Sequence, residues 1–386
     1  MADSRHIVYV TRDVDRALGA TASSLLHIIT NATPQASDFA ASGGSCSLIE
    51  HDFLLSTIDL LKNTQTQQYF AEHKEAKLMV FKPTKQIERF AAENNWELIH
   101  PPAELAAQIE GKITGLDWLG ELTSLMPYLW HGPCKDLPEV KLPVVAQFNI
   151  SHTGNGTQFI TEQAQLNDFA EKFPERPIRL MNYIDGPTLT SNIVVAPKEI
   201  IYGAISYQIT GLKPFTDNDF SATIGNDFAF ASSLLSEQAK KQYTDIAKQV
   251  AEKMRKAEWK GAFGIDCMWS TAEEKMYLLE INAREPASLS FESLLQQSIG
   301  DSPTIMDWHI AALLGESPEQ APAIINNGAQ LVLRAQTTLP NNIPKGAIIV
   351  GSTINGTEYV RFRTEHQFMR THAILNEQGQ AIATAL

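Results

Sequence analysis

Between Gly264 and Arg284 the chain reads Gly-Ile-Asp-Cys-Met-Trp-Ser-Thr-Ala-Glu-Glu-Lys-Met-Tyr-Leu-Leu-Glu-Ile-Asn-Ala-Arg. Two apolar, β-prone runs, Gly264 to Trp269 and Met276 to Ile281, flank a polar break from Ser270 to Lys275, which is the pattern of a hairpin. Centring the hairpin on that break sets Asp266 opposite Glu280, and alternation along the strand puts Asn282 on the same face as Glu280. The other face is expected to carry Ile265, Cys267 and Trp269 against Tyr277, Leu279 and Ile281. Carboxylates directly opposed, about 5 Å apart at Cβ, repel one another. Either one of them holds a proton or a cation lies between them. An all-oxygen set suits a hard ion such as Mg²⁺. Taken by itself, the segment is equally readable as a solvated surface face.

A chain of 386 residues exceeds one ordinary core, so two or three packed domains are expected. Its 44% hydrophobic and 19% charged residues are those of a globular protein. A formal net charge of −13 argues against a general nucleic-acid binder, which needs a basic footprint, but leaves local phosphate sites open. The cysteines Cys46, Cys134 and Cys267 show neither a disulfide framework nor zinc spacing, which fits a reducing, cytoplasmic compartment. The N-terminal residues lack an apolar leader and no run approaches membrane-spanning length, so neither secretion nor a membrane partner is expected.

Along the chain, His6 to Thr11, Lys77 to Phe81 and Trp96 to His100 read as strands. Leu25 to Ile29, Phe53 to Leu61 and Gln86 to Asn95 read as helices, giving a small α/β domain ending near Glu110. Ile113 to Tyr128 reads as a helix, Pro143 to Ile150 as a strand, Glu162 to Phe173 as a helix and Ile178 to Ile184 as a strand. Thr190 to Val195 and Ile200 to Ile209 suggest a hairpin around Pro197-Lys198. Tyr243, Ile246, Val250 and Met254 mark an amphipathic helix over Ser236 to Glu258. Thr304 to Leu314 reads as a further helix, and Ala329 to Arg363 is β-rich with a turn at Asn355-Gly356.

After Pro143-Val144-Val145-Ala146-Gln147-Phe148 comes Ser151-His152-Thr153-Gly154-Asn155-Gly156-Thr157. Glycines let backbone N–H groups turn toward an anion and hydroxyls add donors, although such a loop is also an ordinary turn. No Gly-Lys-Ser/Thr follows, so it is not a P-loop. A Gly-rich hairpin, a strand ending in Tyr-Ile-Asp-Gly, a long amphipathic helix and Gly-x-Asp…Leu-Glu-Ile-Asn-x-Arg occur in that order. In this the chain resembles the ATP-grasp superfamily, over roughly Lys112 to Gly315. The resemblance implies mixed α/β and α+β architecture, with four parts. These are an N-terminal α/β (pre-ATP-grasp) domain over 1–111, a central part with the flap subdomain over 112–188, a C-terminal subdomain with the metal site over 189–325, and a β-rich extension over 326–386.

The resemblance extends to particular residues and implies a role for each. Lys112 matches a phosphate lysine, and the loop with Ser151, Thr153, Gly154, Gly156 and Thr157 matches the flap over the β- and γ-phosphates. Leu180, Met181, Asn182 and Tyr183 match the hinge strand whose backbone meets adenine. Asp266, Glu280 and Asn282 match the Mg²⁺ ligands, with Mn²⁺ the alternative ion, and Arg284 matches the arginine that steadies the transferring phosphoryl group. The chain departs from the pattern at Gln147, where many members carry a second phosphate lysine; glutamine brings hydrogen bonds without charge. Met181-Asn182 stand where the hinge often has a Glu, and the acid that often holds the ribose would fall near Thr188. Gly225-Asn226 is either a plain turn or a contact near nucleotide. Weaker substrate candidates are Arg12, Ser288 and Ser290, the serines being equally readable as helix caps. Arg179 and Arg334 are readable as partners of a substrate carboxylate or of surface acids.

The activity implied by the resemblance is an ATP-dependent ligase that joins a carboxylate to an amine through an acyl phosphate. ATP and Mg²⁺ would be the cofactors, small molecules the substrates and a homodimer a common assembly. A carboxylase or phosphotransferase is the alternative within the superfamily. Neither an Ala-Met-Lys-Met run nor a His-Pro-Val-Thr-Glu segment occurs, which disfavours biotin carboxylation. A catalytically inactive ATP-binding module is the third reading, supported by Gln147 and opposed by the intact Asp/Glu/Asn/Arg set.

Overall fold

A computed structural model describes residues 6–21, 26–149, 156–213, 222–335, 348–354, 357–364, 369–370, 373–375 and 381–385. The first strand, Ile7–Val10, is buried along its whole length, because it sits inside a five-stranded parallel sheet with helices on its faces. The sheet order is Cys46–Ile49, Leu26–Asn31, Ile7–Val10, Lys77–Met79, Glu97–Leu98. Leu26–Asn31 is thus a strand, against the helix expected over Leu25 to Ile29. Its register beside Ile7–Val10 buries four consecutive side chains, which only a central parallel strand requires. The helix expected from Phe53 begins only at Thr57, where Ser56 accepts from the Asp59 N–H. Helices Pro34–Ala41, Thr64–Glu72 and Lys85–Glu93 join it in the helical layers of this unit.

A second, antiparallel sheet of four strands runs in the order Tyr128–Pro133, Pro177–Asn182, Val144–Phe148, Thr157–Ile160. One face packs on helix Gln163–Lys172 through Val144, Ala146, Phe148, Ile178 and Leu180. Alternation then sends Val145, Gln147, Arg179 and Met181 to the opposite face. The segment expected to be helical from Ile113 to Tyr128 holds a short helix, Thr114–Leu119, and then a 3-10 stretch, Gly120–Leu125; Tyr128 already belongs to a strand.

The largest sheet, nine-stranded, is built around Thr188–Val195, with Gly261–Ser270 on one side and Ile200–Tyr202 and Ser206–Thr210 on the other. Helix Glu237–Lys256 lays Tyr243, Ile246, Val250 and Met254 on one face of it. On the other face helices Leu289–Ile299 and Ile305–Leu313 share a core with the parallel sheet, through Tyr9, Val194, Ala262 and Trp308. The C-terminal strands Ala329–Ala335, Thr357–Thr364 and Ile348–Ile354 extend the same sheet through Thr223–Asp227. Gly225-Asn226 therefore lies inside a strand and is not a turn. Asn355 and Gly356 lie outside the described residues.

Candidate functional site

The hairpin that dominates the sequence forms between Gly261–Ser270 and Lys275–Asn282, and Asp266 lies opposite Glu280. One feature differs from expectation. The ladder slips between Asp266 and Cys267, so Cys267 opposes Leu278 and Trp269 opposes Met276. The buried residues of the second strand are Met276, Leu278 and Ile281, while Tyr277 and Leu279 are only partly covered. A bulge of this kind sets two residues against one and re-aims the strand. Here it lets Leu278 fill the core and still leaves Glu280 facing Asp266.

Asp266 is 8% exposed. It accepts from Gln208 Nε2 at 2.8 Å and from Asn282 Nδ2 at 3.1 Å. Burial, and then the neighbouring Glu280 charge, push its carboxyl above the usual range, against the hydrogen bonds from Thr190, Gln208 and Asn282. Glu280 goes the other way. Burial raises it too, but the Lys112 ammonium and then the Arg284 and Arg179 guanidiniums outweigh that and hold it ionised. Lys112 Nζ donates directly to Glu280 Oε2. The backbone of Lys112 is anchored in turn, its N–H donating to Asn149 O at 2.9 Å at the end of the second sheet's strand.

Arg284 Nη1 donates to Asn282 Oδ1 at 2.8 Å and to Glu110 Oε1 at 2.5 Å. Glu110 also pairs with Lys82 at 2.7 Å, so the loop after the parallel strand Lys77–Met79 reaches the site. Glu285, which the sequence reading did not single out, ties the same two units together. Its N–H donates to Phe81 O at 3.1 Å, and its buried carboxylate accepts from Tyr9 Oη at 2.5 Å. Burial pushes that carboxyl up to about 7, against the Arg16 charge and the Tyr9 hydrogen bond.

On the facing sheet, Thr157, Gln147 and Arg179 stand in one row across three strands. Gln147 Nε2 donates to Thr157 Oγ1 at 3.1 Å, and Arg179 Nε donates to Gln147 Oε1 at 3.2 Å. Arg179 is no surface residue, being only 3% exposed. The signal that placed it was absent from the local sequence, because its partner lies 32 positions away. Leu180 and Met181 are buried, whereas Asn182 and Tyr183 are exposed. The Asn182 and Tyr183 N–H groups already donate to Pro127 O at 2.8 Å and Pro143 O at 3.4 Å. Gly186, which follows them, has no room for a side chain: a Cβ would lie 1.9 Å from Trp269 O.

Gly156 is described and its carbonyl accepts from the Phe148 N–H at 3.0 Å, but Ser151, Thr153 and Gly154 lie outside the described residues. Ser288 precedes helix Leu289–Ile299 at its N-cap position without making a side-chain cap bond; its hydroxyl donates instead to Asn192 Oδ1 at 3.1 Å. Ser290 is buried within that helix. Among the described residues neither serine is hydrogen-bonded to Asp266, Glu280 or Asn282, and the cap reading is corrected for Ser288. Arg12 sits partly buried in the turn after the first strand, where its carbonyl accepts from Asn31 Nδ2 at 2.8 Å.

The donor set fits a hard divalent cation. Asp266, Glu280 and Asn282 offer oxygen ligands from adjacent strands, and a cation would relieve the opposition of two carboxyls. In the structure described here those oxygens are engaged by Gln208, Lys112 and Arg284. The three cysteines are free thiols, and no helix among the described residues is long and apolar enough to cross a membrane.

Neither a family model nor a curated relative matches the sequence. Solved structures match over almost the whole chain. Biotin carboxylase from Campylobacter jejuni, in a β,γ-ATP complex, superposes with a TM-score of 0.65 at 14% identity, covering 94% of this chain and 88% of that one. The biotin carboxylase domain of the 2-oxoglutarate carboxylase from Hydrogenobacter thermophilus, with MgADP, ADP and bicarbonate, gives 0.65 at 12% identity over 94% and 86%. Carboxyaminoimidazole ribonucleotide synthase from Aspergillus clavatus, with ATP, gives 0.61 at 14% identity over 95% of each chain. The chain thus has the fold of the ATP-grasp enzymes.

Proposed function

We propose that this ATP-grasp chain is an ATP-dependent ligase that activates a carboxylate as its acyl phosphate and passes the acyl group to an amine. The observation that carries the reading is the opposed pair Asp266 and Glu280, ringed by Lys112, Arg179 and Arg284. A surplus of fixed cations around two acids suits a polyphosphate with its divalent ion and has no evident use in a purely structural hairpin.

In this reading the substrate carboxylate attacks the γ-phosphorus and ADP departs; the amine then attacks the acyl carbon and phosphate departs. A carboxylate is a poor acyl donor because its oxygen leaves badly, and phosphorylation removes that obstacle. Asp266, Glu280 and Asn282 would hold Mg²⁺, whose chemistry here is to neutralise phosphate charge. Lys112, now on Glu280, would be released toward the phosphates once that carboxylate has a metal to bind. Arg284, braced by Glu110 and Asn282, would face the oxygens on which charge develops. The hinge Leu180–Tyr183 and the flap with Ser151, Thr153, Gly154, Gly156 and Thr157 would enclose the nucleotide and exclude water.

The comparisons favour one specific acid for trial. A neighbour of this fold holds bicarbonate beside MgADP, so carboxylation of an amine is the second reading, with bicarbonate as the smallest carboxylate. The test is phosphate release from ATP and Mg²⁺ with acids and amines offered pairwise, bicarbonate among them, and products read by mass. A ligase needs both partners, and Asp266→Asn or Glu280→Gln should abolish release while the circular dichroism spectrum is unchanged. Near wild-type turnover in either variant would remove the assignment.

A further inference from the structure

Arg179 is a guanidinium buried to 3% exposure whose side-chain hydrogen bonds go to a neutral amide, Gln147. Among the described residues no carboxylate lies within ion-pair distance of it. The negative group that acts on it is Glu280, and that carboxylate already accepts from Lys112. Burial lowers its pKa to about 10, which leaves it charged at neutral pH. A buried cation without a counter-anion is strongly unfavourable, so the arrangement is built for an anion that arrives from outside.

The position says which anion. Arg179 lies in one row with Gln147 and Thr157, on the face of the flap sheet turned away from its own core. Thr157 begins the strand that follows the Gly-rich loop. On the far side stands the carboxylate pair. An anion held between these groups would, in the proposed ligase reaction, be the polyphosphate, and a guanidinium fork matches phosphate oxygens.

We propose, resting on the ligase reading, that Arg179 is the flap-side cation for the nucleotide's β- and γ-phosphates and that Gln147 is its positioning residue. Gln147 fixes the guanidinium through its amide oxygen, and that oxygen is itself oriented by the Nε2 bond to Thr157. The absence of a lysine at position 147 then has a physical cause: a second cation there would repel Arg179, while a neutral acceptor holds it.

The test is calorimetric binding of ATP, ADP and AMP to the full chain with Mg²⁺. Arg179→Met should weaken ATP and ADP by roughly 10- to 100-fold, the scale of hydrogen bonds to a charged group, and leave AMP within about 3-fold. Gln147→Glu, nearly isosteric, keeps the acceptor but adds an anion. It should lose ATP and ADP affinity as well, whereas a merely structural contact would be kept. This second variant reports even if Arg179→Met does not fold. Equal losses for all three nucleotides in folded Arg179→Met overturn the proposal. So does unchanged ATP binding with a raised KM for the acid, which would make Arg179 a substrate-carboxylate ligand. A wild-type chain that binds no ATP fails at the earlier step, the ligase reading itself.

Discussion

Asn282 uses both ends of its amide: Nδ2 donates to Asp266 and Oδ1 accepts from Arg284. The arginine and the acid pair are therefore aligned by one short side chain, and Glu110 accepts from the same guanidinium nitrogen. Under the proposed ligase reading, such bracing sets a donor where charge develops before any substrate arrives, the condition under which it lowers a barrier most. Arg284→Ala should reduce kcat by roughly 10²- to 10³-fold, the scale for losing one preorganised donor. Nucleotide affinity should fall far less, since Lys112 and the flap residues remain. Steady-state kinetics beside calorimetry separate the two, and an equal loss in both would make Arg284 a binding group only. Its place beside the acid pair was legible in the sequence because it follows the Glu-Ile-Asn run by two positions. Arg179 was not: its meaning comes from Gln147 and Thr157, which only strand pairing brings beside it.

Among the elements, the hairpin was readable because apolar alternation and a polar break define it locally. The bulge within it was not, since Leu278 and Leu279 are equally apolar and only the ladder decides which one enters the core. Leu26–Asn31 was misread for a related reason: a short apolar run has no period that separates helix from buried strand. Helix Pro34–Ala41 was overlooked although Thr33 caps it by accepting from the Ala36 N–H and proline stands at its start. One contact between elements makes its own prediction. Strand Pro177–Asn182 runs on to Gly186, whose backbone passes against Trp269 O in the hairpin that carries Asp266 and Glu280. A Cβ 1.9 Å from a backbone oxygen forces one strand to move, so Gly186→Ala should cost about 2 kcal/mol or more in thermal unfolding. Gly300→Ala, where a Cβ meets nothing within 4 Å, should cost less than about 0.5 kcal/mol. Equal melting temperatures for the two variants would show that Gly186 and the hairpin are not held in this contact.

On the scale of the whole molecule, the parallel sheet meets the site through two polar joints. These are Lys82–Glu110–Arg284, and Tyr9 with Glu285. The second joint buries an acid that burial pushes up to about 7, above its ordinary value of 4.5. The folded protein thus binds a proton that the unfolded chain has released between those two values. The stability that Glu285 contributes is complete below about pH 4.5 and is lost as pH rises through about 7. Glu285→Gln keeps an oxygen that can accept from Tyr9 but cannot titrate. Subtracting the variant's unfolding free energy from that of the wild type cancels other groups to the extent that they act independently. The difference should turn against the wild type by on the order of 3 kcal/mol between pH 4.5 and 7, at about 1.4 kcal/mol per unit, and level off above that. Chemical denaturation of metal-free, nucleotide-free protein across pH 4.5 to 8 measures it. A difference that stays flat over this range would mean that Glu285 is ionised in the fold, with Arg16 rather than a proton balancing its charge across the joint.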